Sequence, residues 1–205
     1  MNYDKLEQDY LIRYDNILVT IASRLQVHLR ERIEEMHHID GLRVRAKSVN
    51  SFIEKSKKEK DGILRYSDPI NQIYDQIGAR IIVFYLSDIE IITHQILEYY
   101  SPVEIQKIIP DTPDKFGYEG MHLVLFIPDD ILTKEINREQ CPVFYELQIH
   151  TLFQHAWGEA NHDLAYKAIN ELSIDQQRKV SFTAAQAWGA DMIFNQLCSE
   201  IIVKQ

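Results

Sequence analysis

Glu146, Gln148 and His150 alternate with Tyr145, Leu147 and Ile149 in the stretch that ends at Thr151. A period of two belongs to a β-strand, so three polar groups share one face and three apolar groups the other. One face can be buried; the other presents a carboxylate, an amide and an imidazole in a row. An exposed strand could carry that row harmlessly. Leu152 to Lys167, however, read as an amphipathic helix bearing His155, Trp157, Glu159, His162, Asp163, Tyr166 and Lys167. Titratable groups on a strand that feeds such a helix mark a site.

A second group lies between residues 42 and 60. Arg43, Arg45, Lys47, Lys55, Lys57, Lys58 and Lys60 stand there against Glu54 and Glu59, in a chain of net charge -9. Val44 suits a short edge strand, and Ser48 or Asn50 can cap a helix through Phe52 and Ile53. Ser51 and Lys55 then share a helical face at i,i+4, while Arg45 and Lys47 project together from the extended segment. Two cations, a third one turn along and a hydroxyl near a helix N-terminus suit a phosphate. Taken alone, the run also fits a solvated basic helix.

Asp75 and Arg80 bracket the entrance to Ile81-Ile82-Val83-Phe84-Tyr85, an apolar run expected to be a central strand buried on both faces. Charges there need partners. Either Asp75 caps and pairs with Arg80, or Asp75 holds a divalent cation and Arg80 meets a ligand. Strand parity separates them, so a turn at Gly78 is expected to bring both to one site.

These groups need a scaffold. The chain has 205 residues and is 45% hydrophobic, enough for one domain with its own core. A net charge of -9 excludes a generally nucleic-acid-binding surface, so an anion must be met locally. Cys141 and Cys198 make neither a disulfide framework nor a metal motif and read as intracellular thiols. No leader-like segment and no apolar run of about 20 residues is present, which points to a cytoplasmic protein. Residues 4–38 read as one long helix stopped near Gly41. Pro69 starts a helix. Residues 87–100 form another, 103–109 and 123–127 are strands, and 110–122 form a loop carrying Tyr118 and ending in His122. Residues 173–203 form a terminal helix capped by Ser173 or Asp175, with both long helices flanking the sheet. Trp157 and Trp188 read as core, and His28, His37 and His38 as surface. The expected class is α+β: a mixed, mostly antiparallel sheet of about five strands with helices packed on it.

Four blocks in order resemble the synthetase domain of the RelA/SpoT family: Arg45-x-Lys47-x3-Ser51-x3-Lys55, Asp75-x2-Gly78-x-Arg80, Gly117-Tyr118-x3-His122, and Glu146-x-Gln148-x-His150-Thr151 with His155, His162, Tyr166 and Lys167 behind it. The resemblance covers roughly residues 42–167. It implies a nucleotidyltransferase-like domain over 42–170, preceded by a helical segment (1–41) and followed by a helix packed on the same domain (171–205). It implies transfer of the β,γ-pyrophosphate of ATP to the 3′-hydroxyl of a nucleotide, with release of AMP. By this resemblance Arg45 and Arg80 sandwich adenine, and Lys47, Ser51 and Lys55 donate to the ATP phosphates. Asp75 ligates Mg²⁺. Tyr118 stacks on the acceptor base, and His122 donates to acceptor or transferring phosphate. Glu146 activates the 3′-hydroxyl as general base or second metal ligand, Gln148 orients it, and His150 and His155 fall on the acceptor side.

The sequence departs from the family's usual pattern at His150, where arginine is usual, at Glu119 and Gly120, and along Gln154–Glu159. All of these lie on the acceptor side. The complete donor and catalytic blocks make a stand-alone (p)ppGpp synthetase using GDP or GTP the first expectation, while the acceptor-side departures and the short stand-alone chain motivate the second. The family's hydrolase half and its regulatory C-terminal half are expected to be absent. A second expectation is a toxic synthetase modifying the 3′ end of tRNA or an adenosine nucleotide, kept in check by an antitoxin protein. A third is a non-catalytic nucleotide-binding module, against which Asp75 and Glu146 argue. The resemblance also permits a homo-oligomer.

Overall fold

The computed structural model describes residues 1–112, 115–132, 136, 138–167 and 172–202, except the side chains at 139, 165–167 and 202. Pro113, Asp114 and the side chains of the motif residues Tyr166 and Lys167 lie outside the described part. The expected long first helix is three pieces: α1 (Tyr3–Arg13), a π-helical turn (Tyr14–Leu18) and α2 (Val19–Ile33). It ends well before Gly41. His38 takes a left-handed φ of 63°, and Gly41 already lies in β1 (Ile39–Ala46). The alternation of Leu42 and Val44 with Arg43 and Arg45 favours extended backbone there over a longer helix.

Next come α3 (Val49–Ser56), a short hairpin of β2 (Glu59–Lys60) and β3 (Ile63–Leu64), and α4 (Pro69–Gln72), which has the proline in its first turn. After them follow β4 (Ile77–Val83), α5 (Leu86–Tyr99), β5 (Pro102–Ile108), β6 (Gly120–Phe126), β7 (Phe144–Thr151), α6 (Leu152–Lys167) and α7 (Ile174–Ile202). The main sheet has five strands in the order β1-β4-β7-β6-β5. Only β4 and β7 run parallel; the other neighbours are antiparallel. Among the described residues no helix is long and apolar enough to cross a membrane.

One face of this sheet carries Ala79, Ile81, Leu123, Leu125, Tyr145, Leu147 and Ile149, all buried, and α2 and α5 cover it. Tyr10 and Phe52 stack with ring centroids 3.7 Å apart and fasten α3 to α1. The tryptophans are not core: Trp188 is 43% exposed, and half-buried Trp157 donates its indole N–H to Thr183. His28 and His38 are not loose surface groups either. They bond to Tyr100 with Asp130, and to Asp88, respectively.

Candidate active site

The opposite face of the sheet is polar, and its register builds the site. One row of paired residues crosses all five strands as Arg43, Arg80, Gln148, His122 and Gln106. The next row is Arg45, Gly78, Glu146, Val124 and Glu104. Because side chains alternate, both rows point the same way. The expected alternation at 146, 148 and 150 is thus one column of a larger grid. His122, expected at a loop end, lies inside β6 and so joins that grid.

Asp75 reaches the same face from a 3₁₀ turn (Tyr74–Gln76) just before β4, where its own backbone leaves helical geometry. That turn does the work expected of Gly78, which is an ordinary strand residue with open space around it. Lys47 is set by its backbone: its N–H donates to the Gln76 carbonyl, and its carbonyl accepts from the Tyr10 hydroxyl at 2.9 Å. Ser48 caps α3, accepting from the Ser51 N–H at 3.3 Å, and its hydroxyl donates to the Ser51 hydroxyl. Lys47 Nζ and Lys55 Nζ both lie 2.9 Å from Asp75 Oδ2. Asp75 Oδ1 is buried and has no hydrogen-bond partner. Asp75 therefore pairs with the lysines and not with Arg80.

Glu146 and Asp75 line one cleft of about 370 Å³, shared with Lys55, Tyr74, Gln106 and His122. Glu146 Oε1 accepts from His122 Nδ1 at 2.7 Å and from Gln148 Nε2 at 3.0 Å. Burial would push this carboxyl up, but the two hydrogen bonds and nearby Lys55 outweigh it and hold the pKa at about 2. The amide of Gln148 also links two ends of the site. Its oxygen accepts from Arg80 Nε at 3.2 Å and Nη2 at 2.8 Å. Arg80 Nη1 meets His155 Nδ1 at 3.1 Å and donates to Glu159. Glu159 is held below the usual carboxylate range chiefly by the Arg80 hydrogen bond, with His155 and Arg45 adding to it. Arg45 stands exposed on the edge strand in the second row.

At the other end, the Tyr118 hydroxyl lies 2.8 Å from His122 Nε2 and 2.7 Å from His150 Nε2. One chain of polar contacts thus runs His150, Tyr118, His122, Glu146, Gln148, Arg80, Glu159. His150 is 1% exposed. Burial first, then Arg80 and His122, lowers its pKa to about 3, so it is a neutral group. In this structure its ring contact is with Tyr118 and it does not open onto the cleft.

Arg45, Arg80, His122, Glu146, Gln148 and His150 share the polar face of the sheet, Lys47 and Lys55 meet Asp75 beside it, Tyr118 and His155 bond to its His122 and Arg80, and Ser51 lies exposed on α3. The sequence analysis named Glu159 among the helix's titratable groups but gave it no role; in the structure it pairs with Arg80. The family profile described as a region found in RelA / SpoT proteins matches residues 43–171. The chain belongs to the RelA/SpoT family. GTP pyrophosphokinase YwaC of Bacillus subtilis is 27% identical over 136 residues, a match spanning 65% of this chain and 61% of that relative. Among solved RelA/SpoT-type folds, small alarmone synthetase 1 from Bacillus subtilis has a TM-score of 0.75 at 24% identity, covering 97% of this chain and 98% of the other. The same synthetase bound to its product pppGpp gives 0.71 at 22% identity, covering 96% and 98%.

Whether the donors fit a metal is answered by Asp75. Its buried, partnerless Oδ1 is an oxygen in need of a positive neighbour. Among the described residues no three His, Cys, Asp or Glu side chains gather to hold an ion by themselves. Two carboxylates on one cleft suit Mg²⁺, which is commonly held by one or two carboxylates together with substrate phosphates.

Proposed function

We propose that this RelA/SpoT chain is a pyrophosphokinase that moves the β,γ-pyrophosphate of ATP to the 3′-hydroxyl of GDP or GTP, giving (p)ppGpp and AMP. The observation that carries this reading is the single cleft holding Asp75, Lys55 and Glu146. It sets a metal-type carboxylate, a phosphate-type cation and an ionised acceptor-side carboxylate within one ligand's reach. The family membership and the alarmone product bound by the related synthetase support the choice of guanine acceptor.

Lys47, Lys55 and the Ser51 hydroxyl at the start of α3 bind the triphosphate. Both lysines rest on Asp75, so a bare anion must compete with that carboxylate for them. Mg²⁺, held by Asp75 and Glu146, would draw negative charge off the phosphoryl oxygens. Arg45 and Arg80 flank the adenine with flat guanidiniums. Tyr118 offers its ring to the acceptor base, and His122 and His155 stand beside the acceptor. The 3′-oxygen attacks the β-phosphorus, the bond from that phosphorus to the α,β-bridging oxygen breaks, and AMP leaves with that oxygen. Glu146 orients the attacking hydroxyl, takes its proton as general base and passes it on to solvent.

Incubation with labelled ATP, Mg²⁺ and, side by side, GDP, GTP, ADP and tRNA tests this reading. Labelled tetra- or pentaphosphate of guanosine is expected. Label on tRNA or an adenosine nucleotide alone would reassign the acceptor, and no transfer to any of them would reject the activity.

A further inference from the structure

His150 and Gly120 form one feature in the structure. A Cβ built on Gly120 would lie 2.5 Å from both Cδ2 and Nε2 of the His150 ring. Real contacts are never that short, so the imidazole occupies the room that any side chain at 120 would need. The ring is held there for one visible purpose, its 2.7 Å contact with the Tyr118 hydroxyl.

The protons can be placed. A carboxylate only accepts, so His122 Nδ1 donates to Glu146 Oε1. With His122 Nε2 as acceptor, Tyr118 donates to it, and His150 Nε2–H donates to the Tyr118 oxygen. His150 Nδ1 is then a bare lone pair, and it is buried without any partner. The reverse order would leave an N–H in that place with no acceptor, the costlier orphan. The Tyr118 ring also meets the His122 and His150 rings edge-on, with centroids 5.7 and 5.3 Å away. The phenol is thus fixed at one end by two hydrogen bonds and by the two imidazole rings.

Resting on the reading of Tyr118 as the surface for the acceptor base, we propose that His150 is a positioning residue for the acceptor. It sets the plane of Tyr118 through the hydroxyl, and Gly120 is the clearance that permits it. The ligand class it serves is a nucleotide whose base stacks on Tyr118 while its 3′-hydroxyl meets Glu146. His150 itself touches no substrate. A platform fixed before binding spares the ordering cost at the moment of binding, so the effect falls on acceptor affinity.

The test is steady-state kinetics with GDP and ATP varied in turn. His150→Ala and Tyr118→Phe should each raise the KM for GDP by about tenfold, the loss of one fixing hydrogen bond, and leave the KM for ATP in place. The double variant should be no worse than the worse single one, and His150→Gln, which keeps an N–H donor, should recover most of the loss. Gly120→Ala should show the GDP defect when His150 is present and add nothing in the His150→Ala background. Equal rises in both KM values, or a harmless Gly120→Ala beside His150, would overturn the proposal. Nitrogen-15 NMR gives a readout without turnover: an Nε2–H tautomer of His150 whose signal shifts in Tyr118→Phe. If that signal is present but wild type transfers to no acceptor, the synthetase reading fails and the acceptor role fails with it. If transfer occurs and His150 shows the Nδ1–H tautomer, the positioning alone is wrong.

Discussion

Lys55 Nζ lies 2.9 Å from Asp75 Oδ2, and Lys47 lies at the same distance from the same oxygen. On the proposed reading, the two cations that would meet the triphosphate share the carboxylate that would meet a metal. An ion that drew Asp75 away from them would free two phosphate donors, so the reading implies coupled metal and nucleotide binding.

Asp75→Asn should uncouple them. Affinity for ATP in EDTA should rise, while Mg²⁺-dependent transfer should fall by about 10²–10³-fold, the usual cost of losing one charge-stabilising group. Isothermal titration with and without Mg²⁺, beside a product assay, measures both. ATP binding that weakens equally in the two conditions would count against the shared-oxygen account.

Glu146→Ala should abolish transfer and leave ATP binding largely intact, because Glu146 stands beyond the lysines toward Tyr118. Glu146→Gln should also lose most turnover, since an amide brings no charge, and its NH₂ can clash with the donors of His122 and Gln148. Retained turnover in either variant would remove Glu146 from the attacking hydroxyl.

Glu159 holds Arg80 from α6 while being 54% exposed on its side chain. An ion pair that open contributes little to stability, on the order of 0.5 kcal/mol. Glu159→Gln should therefore barely move the melting temperature. It should lower the KM for ATP severalfold at low salt, as Arg80 is released toward the adenine side. An unchanged or higher KM would show that Glu159 supports Arg80 in place and does not compete for it.

Asp191 on α7 is 2% exposed and accepts from the Thr151 hydroxyl at 2.7 Å. Thr151 in turn caps α6, accepting from the Gln154 N–H while Gln154 accepts from the Thr151 N–H. Burial raises the Asp191 pKa from 3.8 to about 6, against the Thr151 bond that lowers it. A raised acid pKa means the folded state resists ionisation: stability is full below about pH 4 and is lost as pH climbs through about 6. The shift corresponds to about 3 kcal/mol. Asp191→Asn should melt at the wild-type temperature at pH 4 and several degrees higher at pH 8. A variant that gains nothing at pH 8 would show the acid already relieved by solvent.

Much of the site was legible because it is periodic. The period-two pattern at 146, 148 and 150, and the i,i+4 pair Ser51 and Lys55, correspond to real faces of β7 and α3. The five-strand mixed sheet also matched expectation. What the sequence hid was nonlocal. No local pattern says that Gln106 and His122 fall in register with Arg80, because strand pairing across the sheet decides it. The α1–α2 helix broke earlier than its apolar repeat suggested, since the repeat continues while the backbone turns at His38. The tryptophans were placed by hydrophobicity, yet Trp188 sits on α7 beside Phe116 with much of its surface open. The buried lone pair on His150 had no signature in sequence, for it depends on which atoms surround it in space.

The parallel pairing of β4 with β7 has a consequence for synthesis of the chain itself. Asp75 and both lysines are encoded in the first half, and Glu146 only later, on the strand that inserts between β4 and β6. A nascent chain ending at Val83 holds its phosphate cations and no carboxylate at the attacking end. Contacts of such long sequence separation form late. On the proposed reading, transfer therefore waits on insertion of β7, the strand that brings Glu146 to the cations already in place.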